Sequence, residues 1–441
     1  PSDGRRPLVP IADTYVRCHM SIEQTKALVH RDHEGTPCPQ GAVYRPWPDF
    51  PMKVLIGRSV ATIKGDAARR SYDATGSEIV WAVIDSGIDA THPHFATYET
   101  LGGTVEKLHR DFTKDDPTTG SPLVDDFGHA THVAGIIAGA LVKPMQAEPD
   151  PDMSVRVGQR VAVSDESVHE SIQPRPKVDA TRLAGVAPRC KLISLKVLDE
   201  TGRRIRSTDV LRALEYVRVE LNGHGKPPLR VHGVNISLGY EFNAKWFACG
   251  QSPVCIEVDR LVRTGVAVVI SAGNTGYGEL MAKAGRTSTG LALTINDPGN
   301  SALAITVGAT HRDSPYTYGV SYFSSKGPTG DGRAKPDLVA PGERITSCAA
   351  GKNLKDVQRA FPDDPAWAAG RVAAYIDQSG TSMAAPHVSG AIAAFLSIRQ
   401  EFIGRPDEVK RIFLNAATSL GREKYFEGHG LVDLMRAIQS V

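Results

Sequence analysis

Three residues far apart in this 441-residue chain have the types and the settings needed for nucleophilic acyl chemistry. Ser382 lies in Ser379-Gly380-Thr381-Ser382-Met383-Ala384-Ala385-Pro386-His387, a turn running into a helix of small residues. Backbone N–H groups at such a start lack partners and favour a nearby oxyanion. His129 lies in Asp126-Phe127-Gly128-His129-Ala130-Thr131-His132-Val133-Ala134-Gly135, where a polar, glycine-containing loop becomes a small apolar helix. Asp85 ends the apolar run Ile79 to Ile84 and precedes Ser86-Gly87, which places its carboxylate at the carboxyl end of a buried strand. A serine hydroxyl is a poor nucleophile until a histidine takes its proton, and that histidine needs a carboxylate to fix its tautomer and stabilise the imidazolium.

Taken singly, Asp85 reads as a strand-end cap, His129 as a helix-terminal surface residue and Ser382 as a helix N-cap. A metallohydrolase is a second reading, because Asp85, His92, His94, His129 and His132 are zinc-ligand types and His129 and His132 share a helix face. It leaves Ser382 and Asn274 without a role, and it predicts inactivation by a chelator rather than by a sulfonyl fluoride. On the serine reading, His132 and His387 are structural residues bonded to neighbours.

The elements that must carry these residues alternate. Apolar runs at Ile79 to Ile84, Leu192 to Val197, Gly233 to Leu238, Val266 to Ile270 and Ala304 to Val307 are separated by helix-length segments. One is Thr208 to Val219, with Val210, Leu211, Leu214 and Val217 at helical spacing, and another surrounds Asp259. This is the pattern of an α/β fold with a mostly parallel sheet and crossover helices. Two polar stretches, 143–182 and 351–371, read as surface insertions; Val155, Val157, Val161 and Val163 in the first suit an exposed hairpin or a disordered segment. Residues 1–57 form an N-terminal extension, helix-like over Ser21 to Val29 and strand-like over Met52 to Ile56, ahead of a domain at 58–441.

Composition narrows the function classes. Hydrophobic residues make up 41% and charged residues 23%, and 51 basic against 49 acidic side chains leave a net charge of +2, an ordinary soluble-enzyme balance. The basic clusters at Arg69-Arg70 and Arg203, Arg204 and Arg206 are too short for a nucleic-acid footprint. The longest apolar runs, Val266 to Ile270 and Ala391 to Leu396, suit a core strand and a core helix rather than a membrane span. Pro1 is followed by no charged and hydrophobic leader, which sets the expectation of a soluble protein, cytoplasmic in preference to secreted. The six cysteines form neither a disulfide scaffold nor a zinc ribbon; Cys190 reads as core, and pairing of Cys249 with Cys255 stays open.

The order Asp, His, Ser separates this set from the orders of chymotrypsin and of α/β-hydrolases. Val83-Ile84-Asp85-Ser86-Gly87-Ile88-Asp89, the His129 block and the Ser382 block resemble the three signature motifs of the subtilase family of serine proteases, peptidase family S8. The resemblance runs from about Thr62 to Ile438 and includes Gly185-Val186-Ala187-Pro188, Asn235-Ile236-Ser237-Leu238-Gly239, Ser271-Ala272-Gly273-Asn274 and Lys335-Pro336-Asp337-Leu338-Val339-Ala340-Pro341-Gly342. It implies a three-layer subtilisin-like fold and a serine endopeptidase needing no cofactor for catalysis. It implies a triad of Asp85, His129 and Ser382, and an oxyanion hole from the Asn274 amide and the Ser382 N–H. It also implies that an extended polypeptide pairs with Ser237, Leu238 and Gly239 beside a specificity pocket walled by Ser271, Ala272 and Gly273. A catalytically silent, peptide-binding relative is the alternative, which an intact triad and Asn274 disfavour.

The chain departs from the family pattern in four places. Ala130 follows the histidine where glycine is common, a small added methyl. His94 and the 143–182 insertion stand where the family's best-known calcium site draws its ligands, so that site is expected to be absent. Asp297, in the segment Asn296 to Asn300 at the pocket floor, would favour a basic substrate side chain. Residues 1–57 are either a permanent extension or the remainder of an inhibitory prosegment.

Overall fold

The computed structural model describes residues 9–12, 15–17, 20–33, 58–143, 153–162, 170–175, 178–199, 206–243, 245, 248–282 and 285–441. The chain divides into two compact units, Pro1–Val54 and Leu55–Val441. The first holds an antiparallel pair, Val9–Ala12 with Tyr15–Arg17, and a helix, Ile22–His33, over the helix-like stretch of the sequence. The strand-like stretch Met52 to Ile56 lies outside the described residues.

The second unit is built on seven parallel strands: β1 (Val80–Asp85), β2 (Arg110–Asp111), β3 (Lys191–Lys196), β4 (Gly233–Ile236), β5 (Ala267–Ser271), β6 (Ile305–His311) and β7 (Leu338–Glu343). Their order across the sheet is β7-β6-β5-β4-β1-β3-β2. All five apolar runs become strands of this sheet; the two edge strands, β2 and β7, carry no comparable run. Along β1 successive side chains alternate between faces: Trp81 and Val83 enter one hydrophobic cluster, Ala82 and Ile84 the other. A parallel sheet buried on both faces needs apolar residues at every position, which is why these strands read as unbroken runs.

Helices cover both faces. Helix α1 is His129–Ile137, α2 is Ser207–Glu215, α3 is Pro253–Arg263, α4 is Gly351–Ala360, α5 is Thr381–Ile398, α6 is Pro406–Ala416 and α7 is Leu434–Gln439. The α2 and α3 side chains Val210, Leu214, Val258 and Leu261 pack with Ile84, Leu195 and Ile236 on one face. The α1 and α5 side chains pack with Trp81, Val83, Val269 and Val307 on the other. Helix α5 is long and apolar enough to suit a bilayer, but its residues are already buried inside the fold. The result is the three-layer α/β arrangement expected of a subtilase.

Both polar stretches contribute more than surface excursions. Residues 143–182 supply Ser154–Ala162 and Glu170–Pro174, and these join Ile345–Cys348 and Val372–Gln378 in a second, four-stranded sheet. Ser154–Ala162 runs parallel to Val372–Gln378, with Val155 opposite Ala373 and Val157, fully buried, opposite Tyr375. A buried Arg175–Asp377 ion pair fastens the hairpin to that strand. Residues 351–371 supply α4, whose Val357 packs with Ala374 and Ile376. A partner strand two hundred residues away leaves no mark in the local pattern, so the alternating valines read as an exposed hairpin.

The four described cysteines, Cys190, Cys249, Cys255 and Cys348, are buried thiols, so Cys249 and Cys255 are not paired. Cys255 directs its thiol at the Pro298 carbonyl, 3.7 Å away.

Candidate active site

Asp85, Ser237 and Ser271 stand at or just beyond the carboxyl ends of three adjacent strands, β1, β4 and β5. Chain reversals there point side chains out of the sheet edge, so this is where a parallel α/β sheet gathers a site. One cleft is lined by Phe127, His129, Leu198, Ser237, Leu238, Gly239, Ser271, Gly273, Asn274, Thr275, Asn296, Thr381 and Ser382.

His129 is the first residue of α1. Its Nδ1 lies 2.8 Å from Asp85 Oδ1 and 2.9 Å from Oδ2, so Nδ1 carries the proton and donates to the carboxylate. That leaves Nε2 as the basic nitrogen. Asp85 is fully buried and accepts the Ser86 N–H at 2.7 Å. Burial lowers the pKa of His129, but the Asp85 charge, the hydrogen bond to it and the nearby Asp125 charge outweigh this and raise it above 6.5.

Ser382 is the second residue of α5, so its N–H has no carbonyl inside the helix to bond. Its hydroxyl donates to the Ser237 carbonyl at 2.9 Å. In turn the Ser237 hydroxyl donates to the Ser382 carbonyl at 3.1 Å and accepts the Asn235 amide at 2.9 Å, while Ser389 donates to Asn235 Oδ1. These bonds stitch the start of α5 to β4.

Asn274 follows β5. Its Oδ1 accepts the Thr381 N–H at 2.9 Å and the Thr381 hydroxyl at 3.1 Å. With that oxygen engaged, the side chain can offer the cleft only its Nδ2 donors. The cleft therefore presents two kinds of group at its centre: a base paired with a buried carboxylate, and N–H donors beside a serine hydroxyl.

Of the residues expected around the pocket, Ala272 in its wall and Asp297 in its floor are not among those lining the cleft. Ala272 is fully buried, whereas Ser271 and Gly273 line the cleft. The Asp297 carboxylate does not reach the cleft: it is buried, accepts the Asn300 amide at 2.8 Å, and its backbone pairs with Tyr240. Neighbouring residues of an extended segment point to opposite sides, so Asn296 occupies the wall in its place. The basis for a basic substrate preference is thereby removed.

The histidines of the metal reading are engaged otherwise. His92 Nε2 bonds the Ala374 carbonyl, His94 Nε2 the Ala138 carbonyl, and His132 Nε2 the Ile345 and Ile376 carbonyls. Among the described residues no group of three or more His, Cys, Asp or Glu side chains is placed to hold a metal. His387 donates Nδ1–H to the Met383 carbonyl at 2.8 Å, inside its own helix.

Several contributors were not singled out in the sequence. Asp125 accepts the Gly128 N–H and the Ser86 hydroxyl on Oδ1, and the Thr131 N–H and hydroxyl on Oδ2, at 2.7 to 2.9 Å. Burial pushes its carboxyl up to about 6 against the pull of those four bonds. Asn353 donates to the Gly128 carbonyl at 2.8 Å and accepts from Gln378, and Lys352 stands 4.7 Å over the Phe127 ring. An Asp just before a helix of small residues is a capping signal that could have marked Asp125. Nothing local marks Asn353, because its partners are 225 and 25 residues away.

The chain matches the subtilase family over residues 76–431. It is 28% identical over 380 residues to subtilisin E of Bacillus subtilis, covering 86% of this chain and 70% of that protein. It is 27% identical over 377 residues to serine protease AprX of the same organism, covering 82% and 68%. Against pyrolysin of Pyrococcus furiosus it is 29% identical over 341 residues, 71% of this chain but only 21% of pyrolysin's length. With the family's match spanning β1 through the segment before α7, and with all three motif residues at one sheet edge, the chain belongs to the subtilase family.

Proposed function

We propose that this protein is a serine endopeptidase in which Ser382 is the nucleophile, His129 the general base and Asp85 its orienting carboxylate. The carrying observation is the His129–Asp85 pair, 2.8 Å apart, in one cleft with Ser382 and Asn274. An extended polypeptide lies along Ser237 to Gly239. As it binds, the Ser382 hydroxyl turns from the Ser237 carbonyl to His129 Nε2 and attacks the scissile carbonyl carbon.

The proton moves to Nε2, and the imidazolium is held by Asp85. Asn274 Nδ2–H and the Ser382 N–H receive the oxyanion. The tetrahedral adduct collapses to an acyl-enzyme as Nε2–H protonates the leaving amine. Water, deprotonated by His129, then attacks the ester and releases the acid and free Ser382. The bonds, charges and protons balance without any added group.

The test is incubation with a sulfonyl fluoride, then peptide mapping. Loss of cleavage of an unfolded protein together with modification at Ser382 is expected. Retained cleavage in Ser382→Ala would exclude this assignment.

A further inference from the structure

The serine mechanism above uses one buried carboxylate, yet two lie beside His129. Asp125 is 3% exposed and touches no cleft surface. Its four donors come from three places that must keep register: Ser86, next to Asp85; Gly128, the residue before His129; and Thr131, two residues after it. The Ser86 hydroxyl also accepts the Ala130 N–H at 3.0 Å, and Thr131 Oγ1 accepts the Asp89 N–H at 3.0 Å. Thus the residues on both sides of His129 are tied through Asp125 to Ser86, within the Asp85-Ser86-Gly87 turn, and through Thr131 to Asp89 just after it.

The Gly128 peptide is held from its other end too, because Asn353 donates to its carbonyl. Gly128 has φ 88°, and a side chain there would meet the Ala350 carbonyl at 2.2 Å. That position thus requires glycine, and its N–H and its carbonyl are both held by side chains, Asp125 and Asn353.

Resting on the reading given under Proposed function, we propose that Asp125 is a positioning residue for acyl transfer. Its carboxylate holds the 128–131 backbone so that the His129 ring meets both Asp85 and Ser382, and it adds a second buried negative charge that favours the imidazolium formed in the reaction. A carboxylate suits this place where a neutral cap would not, because four donors converge on two oxygens and no donor is wanted in return.

Other charged or titratable groups face this region. They are Asp85 from β1, Asp89 after it with its carboxylate on Thr91, and Lys196 from β3 bonded to the Val124 carbonyl. His132 in α1 and Cys348 on the adjoining strand are buried and kept neutral, and Lys352 of α4 lies over Phe127. The carboxylates that raise the His129 pKa are Asp85, the larger, and Asp125.

The experiment compares the full chain with Asp125→Asn and Ser86→Ala by kcat, KM, melting temperature and the pH dependence of kcat/KM on one peptide substrate. In Asp125→Asn, kcat should fall roughly 10- to 100-fold with KM within about threefold, as expected when the base is displaced rather than the substrate. Its acid limb should move to lower pH, because His129 loses a negative neighbour. Ser86→Ala keeps the charge, so kcat should fall less and the limb should stay.

A lower melting temperature with kcat and acid limb both unchanged in Asp125→Asn overturns the proposal, leaving Asp125 a stabilising cap only. Should that variant fail to fold, an unchanged kcat in Ser86→Ala overturns it instead. Inactivity of the parent chain would sink the peptidase reading itself, which is a separate result.

Discussion

Thr381 donates both its N–H and its hydroxyl to Asn274 Oδ1, at 2.9 and 3.1 Å. The residue before Ser382 thus sets which end of the Asn274 amide faces the cleft. Because Thr381 Oγ1 also accepts the Gly273 N–H at 3.1 Å, the three groups are locked together before substrate arrives. Donors arranged in advance need no reorganisation as charge develops on the oxyanion.

Asn274→Ala should therefore lower kcat by about 10²- to 10³-fold with little change in KM, the size seen on removing one such donor in subtilisin. Thr381→Val removes the hydroxyl bond to Asn274 Oδ1 but keeps the backbone N–H on it, so its kcat should fall by a smaller factor. Steady-state kinetics on one peptide substrate ranks the two; equal activity in parent and Asn274→Ala would remove Asn274 from the oxyanion hole.

The acid limb of kcat/KM should have its midpoint above 6.5. His129 must be neutral at Nε2 to act as base, and Asp85 and Asp125 together raise its pKa despite the burial that lowers it. Activity is thus lost on acidification earlier than an ordinary imidazole would allow. A midpoint at or below 6.5 in a pH–rate profile contradicts this balance of charges.

Stability should fall on acidification for a different reason. Burial pushes His94 and His132 down to about 3 and His387 to about 4, so these rings stay neutral in the fold. Below about 6.5 the unfolded chain binds protons that the folded rings refuse, and each ring contributes a slope of about 1.4 kcal/mol per pH unit until its folded pKa is reached. Urea midpoints from about pH 7 to about pH 4.5 should decline, and less steeply in His387→Gln.

Gly128→Ala should destabilise the chain by about 1 to 3 kcal/mol, since the new Cβ must share space with the Ala350 carbonyl at φ 88°. Thermal melting detects this. The same variant should lose activity more than a Gly→Ala change at Gly370, which has φ 66° but no heavy atom within 4 Å of the added Cβ.

Much of this was legible in the residues. The apolar runs that became β1, β3, β4, β5 and β6 have no polar face to turn to solvent, as strands of a sheet covered on both faces require, and that pattern is local to each run. Asp85, His129 and Ser382 each sit at an element boundary, where a side chain escapes the core, and the motifs around them carry the small residues that close packing requires. Asn274 follows β5 for the same reason.

Tertiary structure alone decided the rest. It turned the Asp297 carboxylate away from the cleft and put Asn296 there, because which of two adjacent residues faces a pocket depends on the pairing of Asp297 with Tyr240 across the fold. It made the valines of 154–162 a parallel neighbour of Val372–Gln378. It converged Asp125, Ser86, Thr131 and Asn353 on the His129 backbone. Hydrogen bonds between residues 39 to 225 positions apart are set by where the sheet ends and helices bring the chain, and no local periodicity encodes them.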